Sequence, residues 1–192
     1  MELRDVRTAS PAFRRAATRI SLLIAAEALR SLPSVPATVT SPLGPAEGRV
    51  VRTDVVVVPV LRAGLSMLDP VLQLIPSARV GHIGLRRDEE TAVAEHYYSN
   101  LPPRIESSFV LMIDPMLATG GSSSVAIDLV KAAGARSIAM ACIISAPEGV
   151  AELQARHPDV TIYTPVVDRE LNARKFIVPG LGDFGDRLYG TA

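Results

Sequence analysis

The sequence predicts an α/β fold with a doubly wound parallel sheet, on three observations. Short runs that are apolar on both faces, such as Val55-Val56-Val57-Val58-Pro59-Val60, read as central strands covered by helices on each side. Such runs alternate with helix-like stretches along the chain, as in a sheet wound in both directions. With 192 residues, 48% of them hydrophobic, the chain is long enough for one substantial core and short for two, so a single domain over 1–192 is expected.

The elements follow in order. Ser10 reads as an N-cap with Pro11 at the first helical position, and Phe13, Ala16, Ala17, Ile20, Leu23 and Ile24 recur at helical spacing, which predicts a helix over 11–30. Pro33, Pro36, Pro42 and Pro45, with Gly44 and Gly48, break the next stretch into short strands and turns. A buried strand over 55–60, a helix over 65–74 and a strand over 80–85 come next. Residues 86–105 are polar, carry Tyr97, Tyr98, Pro102 and Pro103, and separate two buried strands, so a mobile loop or long hairpin is expected there. Two further strand–helix pairs cover 109–113 with 123–133 and 138–144 with 148–156. Residues 169–192 hold more glycine than a simple tail would use.

Composition narrows the function classes. Twenty basic and 20 acidic side chains cancel, so no overall field draws the chain to nucleic acid or an anionic membrane. The single Cys142 lies in an apolar run and reads as a small buried hydrophobe in a strand, and a reducing cytoplasm is expected. No apolar run reaches the length of a membrane span. His82, His96 and His157 are too scattered to suggest a metal cage. Gly180-Leu181-Gly182-Asp183-Phe184-Gly185 matches a dinucleotide fingerprint only in form, because no buried strand leads into it and no crossover helix fits before Ala192.

The chemistry concentrates at one strand–loop–helix unit. An apolar run ends on Asp114, passes through Pro115, Met116, Leu117 and Ala118, and enters Thr119-Gly120-Gly121-Ser122 ahead of a helix. Unpaired N–H groups and partial positive charge at a helix start suit a phosphate, and small residues let it approach. No Lys follows the glycines, so a triphosphate loop is excluded and a sugar monophosphate fits better. Asp114 would then lie where a ribose hydroxyl pair can be held. Thr-Gly-Gly-Ser alone is equally a plain turn, and Asp114 could merely cap it. Arg62 follows another strand and so shares the carboxyl edge where ligands collect, while Arg87 starts the polar segment that could swing over the same crevice. Either arginine could instead be an ordinary surface ion-pair partner.

Taken together, these segments resemble the uracil phosphoribosyltransferase family. The resemblance runs from Leu3-Arg4-Asp5 through Pro59-Val60-Leu61-Arg62-Ala63-Gly64, Arg87-Asp88-Glu89-Glu90-Thr91, the loop from Asp114 to Ser122, Ala146-Pro147-Glu148-Gly149 and His157-Pro158-Asp159-Val160 to Pro179-Gly180-Leu181-Gly182-Asp183. It implies a type I phosphoribosyltransferase fold with a small base-binding hood from 169–192. It also implies the conversion of uracil and 5-phosphoribosyl 1-diphosphate (PRPP) to UMP and diphosphate, with Mg2+ held mainly by substrate oxygens. Carried over, Asp114 and Arg87 are catalytic. Arg62, Arg87, Asp114, Pro115, Met116, Leu117, Ala118, Thr119, Gly120, Gly121, Ser122 and Asp183 hold the donor, and Ile177, Gly182, Asp183 and Phe184 hold uracil. A homo-oligomer is implied, and a GTP effector is left open. Phe184 stands where the family usually has alanine and Phe176 where tyrosine is common, which predicts a smaller base pocket lacking one hydroxyl. Two alternatives follow: a catalytically weak regulatory protein that binds PRPP or UMP, and a phosphoribosyltransferase for another base.

Overall fold

The computed structural model describes residues 1–87 and 94–191, and the side chains of Arg87 and Ala94 fall outside the described set. Helix α1 (Ser10–Leu29) is followed by strands β1 (Ser34–Ser41) and β2 (Gly44–Val51). Then come β3 (Val55–Leu61), α2 (Leu65–Leu74), β4 (Arg79–Val80), β5 (His82–Arg87), β6 (Ala94–Asn100) and β7 (Phe109–Ile113). The rest of the chain supplies β8 (Met116–Leu117), α3 (Gly121–Ala132), β9 (Ser137–Ala141), β10 (Ile144–Ser145), α4 (Pro147–Arg156) and β11 (Thr161–Tyr163). The hood is β12 (Glu170–Leu171), β13 (Ile177–Val178) and α5 (Phe184–Tyr189).

Among the described residues the main sheet has seven strands in the order β11-β9-β7-β3-β5-β6, with β4 beside β3. Its pairs are parallel except β5–β6. Strand alternation feeds two separate cores. Val55 and Val57 join Phe13, Met67, Leu111 and Ile113 on the α1–α2 face. Val56, Val58 and Val60 join Val110, Met112, Ile127 and Leu153 on the α3–α4 face. Each such side chain contributes about 1.5–3 kcal/mol by leaving water, which is why the valine run takes the centre of the sheet.

The structure corrects several sequence expectations. Ala9, not Ser10, is the N-cap of α1, and no side chain caps that end. The proline-rich stretch forms one hairpin of two eight-residue strands, β1 and β2, paired from Ser34–Val51 to Ser41–Gly44. Its prolines are tolerated because this two-stranded sheet has only edge strands. The strand predicted over 80–85 breaks at Gly81 into β4 and β5. The run over 138–144 divides into β9 and β10, so Cys142 sits in the link between them, fully buried. Helix α3 starts at Gly121, two residues early, which brings Gly121 and Ser122 into its first turn. Within 86–105, β6 pairs antiparallel with β5, which begins at His82, and Arg86 meets Glu95 at 2.7 Å; the part of the expected mobile loop or hairpin at 88–93 lies outside the described residues.

Candidate active site

Strand register brings the donor-side residues to one edge. Pro59 on β3 is level with Ile113 on β7, so Arg62 and Asp114 leave adjacent strands at their carboxyl ends. A close backbone approach fixes their loops together: a Cβ on Gly64 would stand 2.5 Å from the Ile113 carbonyl and 2.6 Å from that of Val60. Only glycine fits there. The Leu61–Arg62 peptide is cis. The Arg62 side chain is exposed and carries no ion pair among the described residues, leaving its guanidinium available. Strand β5 is level with the end of β3 at Leu61–Gly84 and continues three residues further, which carries the Arg87 backbone beyond the same edge.

The loop from Asp114 to Ser122 is framed from behind. The Pro115 carbonyl accepts from Ile143 and Ile144 N–H at 3.0 and 3.1 Å, and the Leu117 carbonyl accepts from Ala146 N–H at 2.9 Å. Leu117 is fully buried, so it can serve the site only through the shape of the loop. Gly149 in the first turn of α4 lies under the loop, where a Cβ would stand 2.4 Å from the Ala118 carbonyl. Gly120 turns the chain at φ +83° into α3, whose N-terminus has no side-chain cap and no acidic residue in its first turn. Gly121 N–H makes a long 3.5 Å contact to Thr119 Oγ1, and this N-terminus can face an anion.

Asp114 is half-buried, and its carboxyl is pushed up to about 7 by burial, against a weaker pull from Met116 N–H at 3.4 Å. In its ionised form this carboxylate can accept hydrogen bonds from sugar hydroxyls. Burial pushes the Cys142 thiol up to about 12, which rules it out as a nucleophile at neutral pH.

Side-chain contacts tie the hood to the amino-terminal segment and to α4. Arg187 donates to the Leu181 carbonyl at 2.8 Å and to the Asp5 carbonyl at 2.6 Å, and its guanidinium carbon lies 4.5 Å above the Phe13 ring. Arg14 donates to the Leu188 carbonyl at 2.7 Å, and Glu148 on α4 accepts from Leu171 N–H at 2.9 Å. Arg4 and Asp168 form an ion pair at 2.6 Å, which holds the Asp168 carboxyl below the usual carboxylate range. Sequence reading gave none of these contacts a role. The partners lie up to 182 positions apart, and no local pattern signals such pairing.

Asp183 caps α5, its Oδ1 accepting from Asp186 N–H at 2.9 Å, and Ile177 is buried in the same core as Phe13. Phe184 corrects the expectation of a narrowed base pocket. Its ring is buried edge-on against Phe13, with centroids 5.1 Å apart, because the first turn of α5 directs it into the α1 core. Two surface concavities lie elsewhere, one lined by Ile20, Leu23 and Tyr163 and one by Ser31, Glu106 and Arg136 at the amino edge of the sheet.

A sequence profile described as Uracil phosphoribosyltransferase matches residues 1–191. This chain belongs to that family. It is 50% identical over 191 residues to the uracil phosphoribosyltransferase of Dictyoglomus thermophilum, covering 99% of this chain and 92% of that one. It is 48% identical over 190 residues to that of Clostridium perfringens, covering 98% and 91%. Among solved structures, a protein of Aquifex aeolicus superposes with a TM-score of 0.93 at 35% identity, over 99% of this chain and 91% of that one. A purine phosphoribosyltransferase of Pyrococcus horikoshii superposes with a TM-score of 0.52 at 18% identity, over 82% and 93%, a likeness of fold alone. The fold is that of the type I phosphoribosyltransferases. No helix among the described residues is long and apolar enough to cross a membrane.

Proposed function

We propose that this chain transfers the phosphoribosyl group of PRPP to uracil, giving UMP and diphosphate in pyrimidine salvage. The observation that carries the residue roles is the contact of the Gly64 turn with the end of β7, which sets Arg62, Asp114 and the uncapped start of α3 along one edge. The amides at 119–122 receive the 5-phosphate, Asp114 the ribose hydroxyls, and Arg62 and Arg87 the diphosphate, with Asp183 approaching the donor from the hood. The backbone of Ile177 and of 182–184 reads the two carbonyls and the N–H of uracil.

Breaking the bond from C1 of the ribose to the diphosphate oxygen leaves positive charge on the sugar and negative charge on the leaving group. The arginines counter the second and Asp114 lies beside the first, while N1 of uracil forms the new bond to C1 and its proton passes to the departing diphosphate. The residues fit Mg2+ carried in on the donor, with the half-buried Asp114 carboxylate the described acidic group on this strand edge. Bound there by substrate oxygens, the metal supplies further charge neutralisation to the diphosphate.

The reading extends to a cytoplasmic homo-oligomer. The β1–β2 hairpin exposes Leu43 completely together with Val39 and Val51, and an isolated hairpin of this kind is marginal in water. Sedimentation measures that state, and assays with and without GTP test an effector.

The deciding assay follows diphosphate release with PRPP and Mg2+ against uracil, cytosine, orotate and hypoxanthine. Uracil is expected to be turned over, and Asp114→Asn and Arg87→Ala each to lower turnover about 100-fold or more. Normal turnover in both variants overturns the assigned roles. Saturable PRPP binding without turnover on any base would mark a regulatory protein, a reading that loses its motive once Phe184 is seen to pack into the core.

A further inference from the structure

We infer that the Arg4–Asp168 ion pair is a positioning device for base recognition, fixing the backbone of the base-reading loop relative to the donor loop; this rests on the activity proposed above. The pair is a two-pronged fork, with Arg4 Nη1 and Nη2 donating to Asp168 Oδ2 and Oδ1 at 2.7 and 2.6 Å. The Asp168 side chain is only 5% exposed. Its Oδ2 also accepts from Gly180 N–H at 2.8 Å, while Arg4 Nη1 donates to the Gly180 carbonyl at 2.8 Å. One ion pair thus holds both backbone polar groups of one residue, two positions before Gly182.

Gly180 cannot be replaced or relaxed in place. Its φ is +63°, and a Cβ there would stand 2.0 Å from the Ile177 carbonyl. The other side of Asp168 is fastened to the donor half: its N–H donates to the Ser145 carbonyl at 2.8 Å, and Ser145 pairs with Leu117 across β10 and β8. A continuous hydrogen-bonded path therefore joins the loop behind the proposed phosphate site to the loop proposed to read the base. The hood's own strands are two residues long, too short to hold a shape alone. Charge-assisted, bidentate bonds are about twice as strong as neutral ones and fix direction as well as distance, which suits this task.

The test compares Asp168→Asn, which keeps an acceptor for Gly180 N–H but loses the charge facing Arg4, with Arg4→Lys, which keeps charge but loses the fork. In Asp168→Asn the KM for uracil is expected to rise about tenfold, with kcat and the KM for PRPP within about twofold of the parent. Arg4→Lys is expected to show the same pattern with a smaller rise. Amide hydrogen exchange, read on the unliganded proteins, is expected to quicken at 180–184 and to stay unchanged at 119–124. Equal rises in both KM values, or faster exchange spread over the whole chain, would show a merely structural ion pair and overturn the inference. If the parent protein makes no UMP, the proposed activity fails, and exchange alone decides whether the clamp exists: confined quickening supports it, and uniform or absent quickening overturns it.

Discussion

The donor side and the hood reach their shapes by different means. On the donor side, Arg62 and Asp114 leave neighbouring parallel strands, and glycines at 64 and 149 let backbone pack on backbone. In the hood, strands of two residues and a six-residue helix are held by arginines from the first helix and the segment before it, and by Glu148. A sheet edge holds its loops as a consequence of the core beneath it. The hood depends on individual side-chain contacts, so single substitutions should loosen it without disturbing the sheet.

Three changes probe that contrast, in order of expected size. Phe184→Ala removes a ring buried against Phe13 and should cost about 3–5 kcal/mol in denaturant unfolding. If it instead leaves stability unchanged and tightens uracil binding, the ring lines the pocket after all and the hood is less dependent on α1 than described. Gly149→Ala places a methyl against the Ala118 and Leu117 carbonyls and should cost about 1–3 kcal/mol, raising the KM for PRPP more than that for uracil. The reverse order of KM effects would deny that the donor loop is set by backbone contact.

The smallest effect on stability concerns Asp114. Its carboxyl titrates at about 7 in the folded chain against about 3.9 for an unperturbed aspartate, so the folded state binds the proton more tightly. This contribution to stability is fully present below pH 4 and is lost as pH rises through 7. Asp114→Asn should therefore raise the thermal midpoint by about 2–8 °C at pH 8, relative to any difference at pH 4, while impairing turnover. The acid limb of kcat/KM in the parent should fall near pH 7 and vanish in the variant's residual activity. A parent profile flat from pH 5 to 8 counts against the raised carboxyl.

Much of the donor side was legible because its signals are local. The apolar run at 109–113 became β7, and 65–74 became α2, with the same boundaries. The small residues at 118–122 do mark an uncapped helix start. The hood was less legible for a physical reason. Whether Phe184 faces a ligand or a core depends on where Phe13 lies, and periodicity in residues 169–192 carries no information about α1. The Leu3-Arg4-Asp5 segment was recognised as a motif, yet the partner of Arg4 is 164 positions away. The β1–β2 hairpin was missed as a unit because proline and glycine signals marked breaks where two edge strands tolerate them.

The joining of Arg14 to Leu188, across 174 positions, has a consequence for biosynthesis. As the chain emerges from the ribosome, α1 is made well before α5, so the face that receives Phe184 has no cover until α5 appears. Contacts of such separation form late and slow folding. Nascent chains halted before α5 should therefore expose the Phe13 side of α1 and be held by chaperones, whereas synthesis past α5 lets α1 and α5 close together.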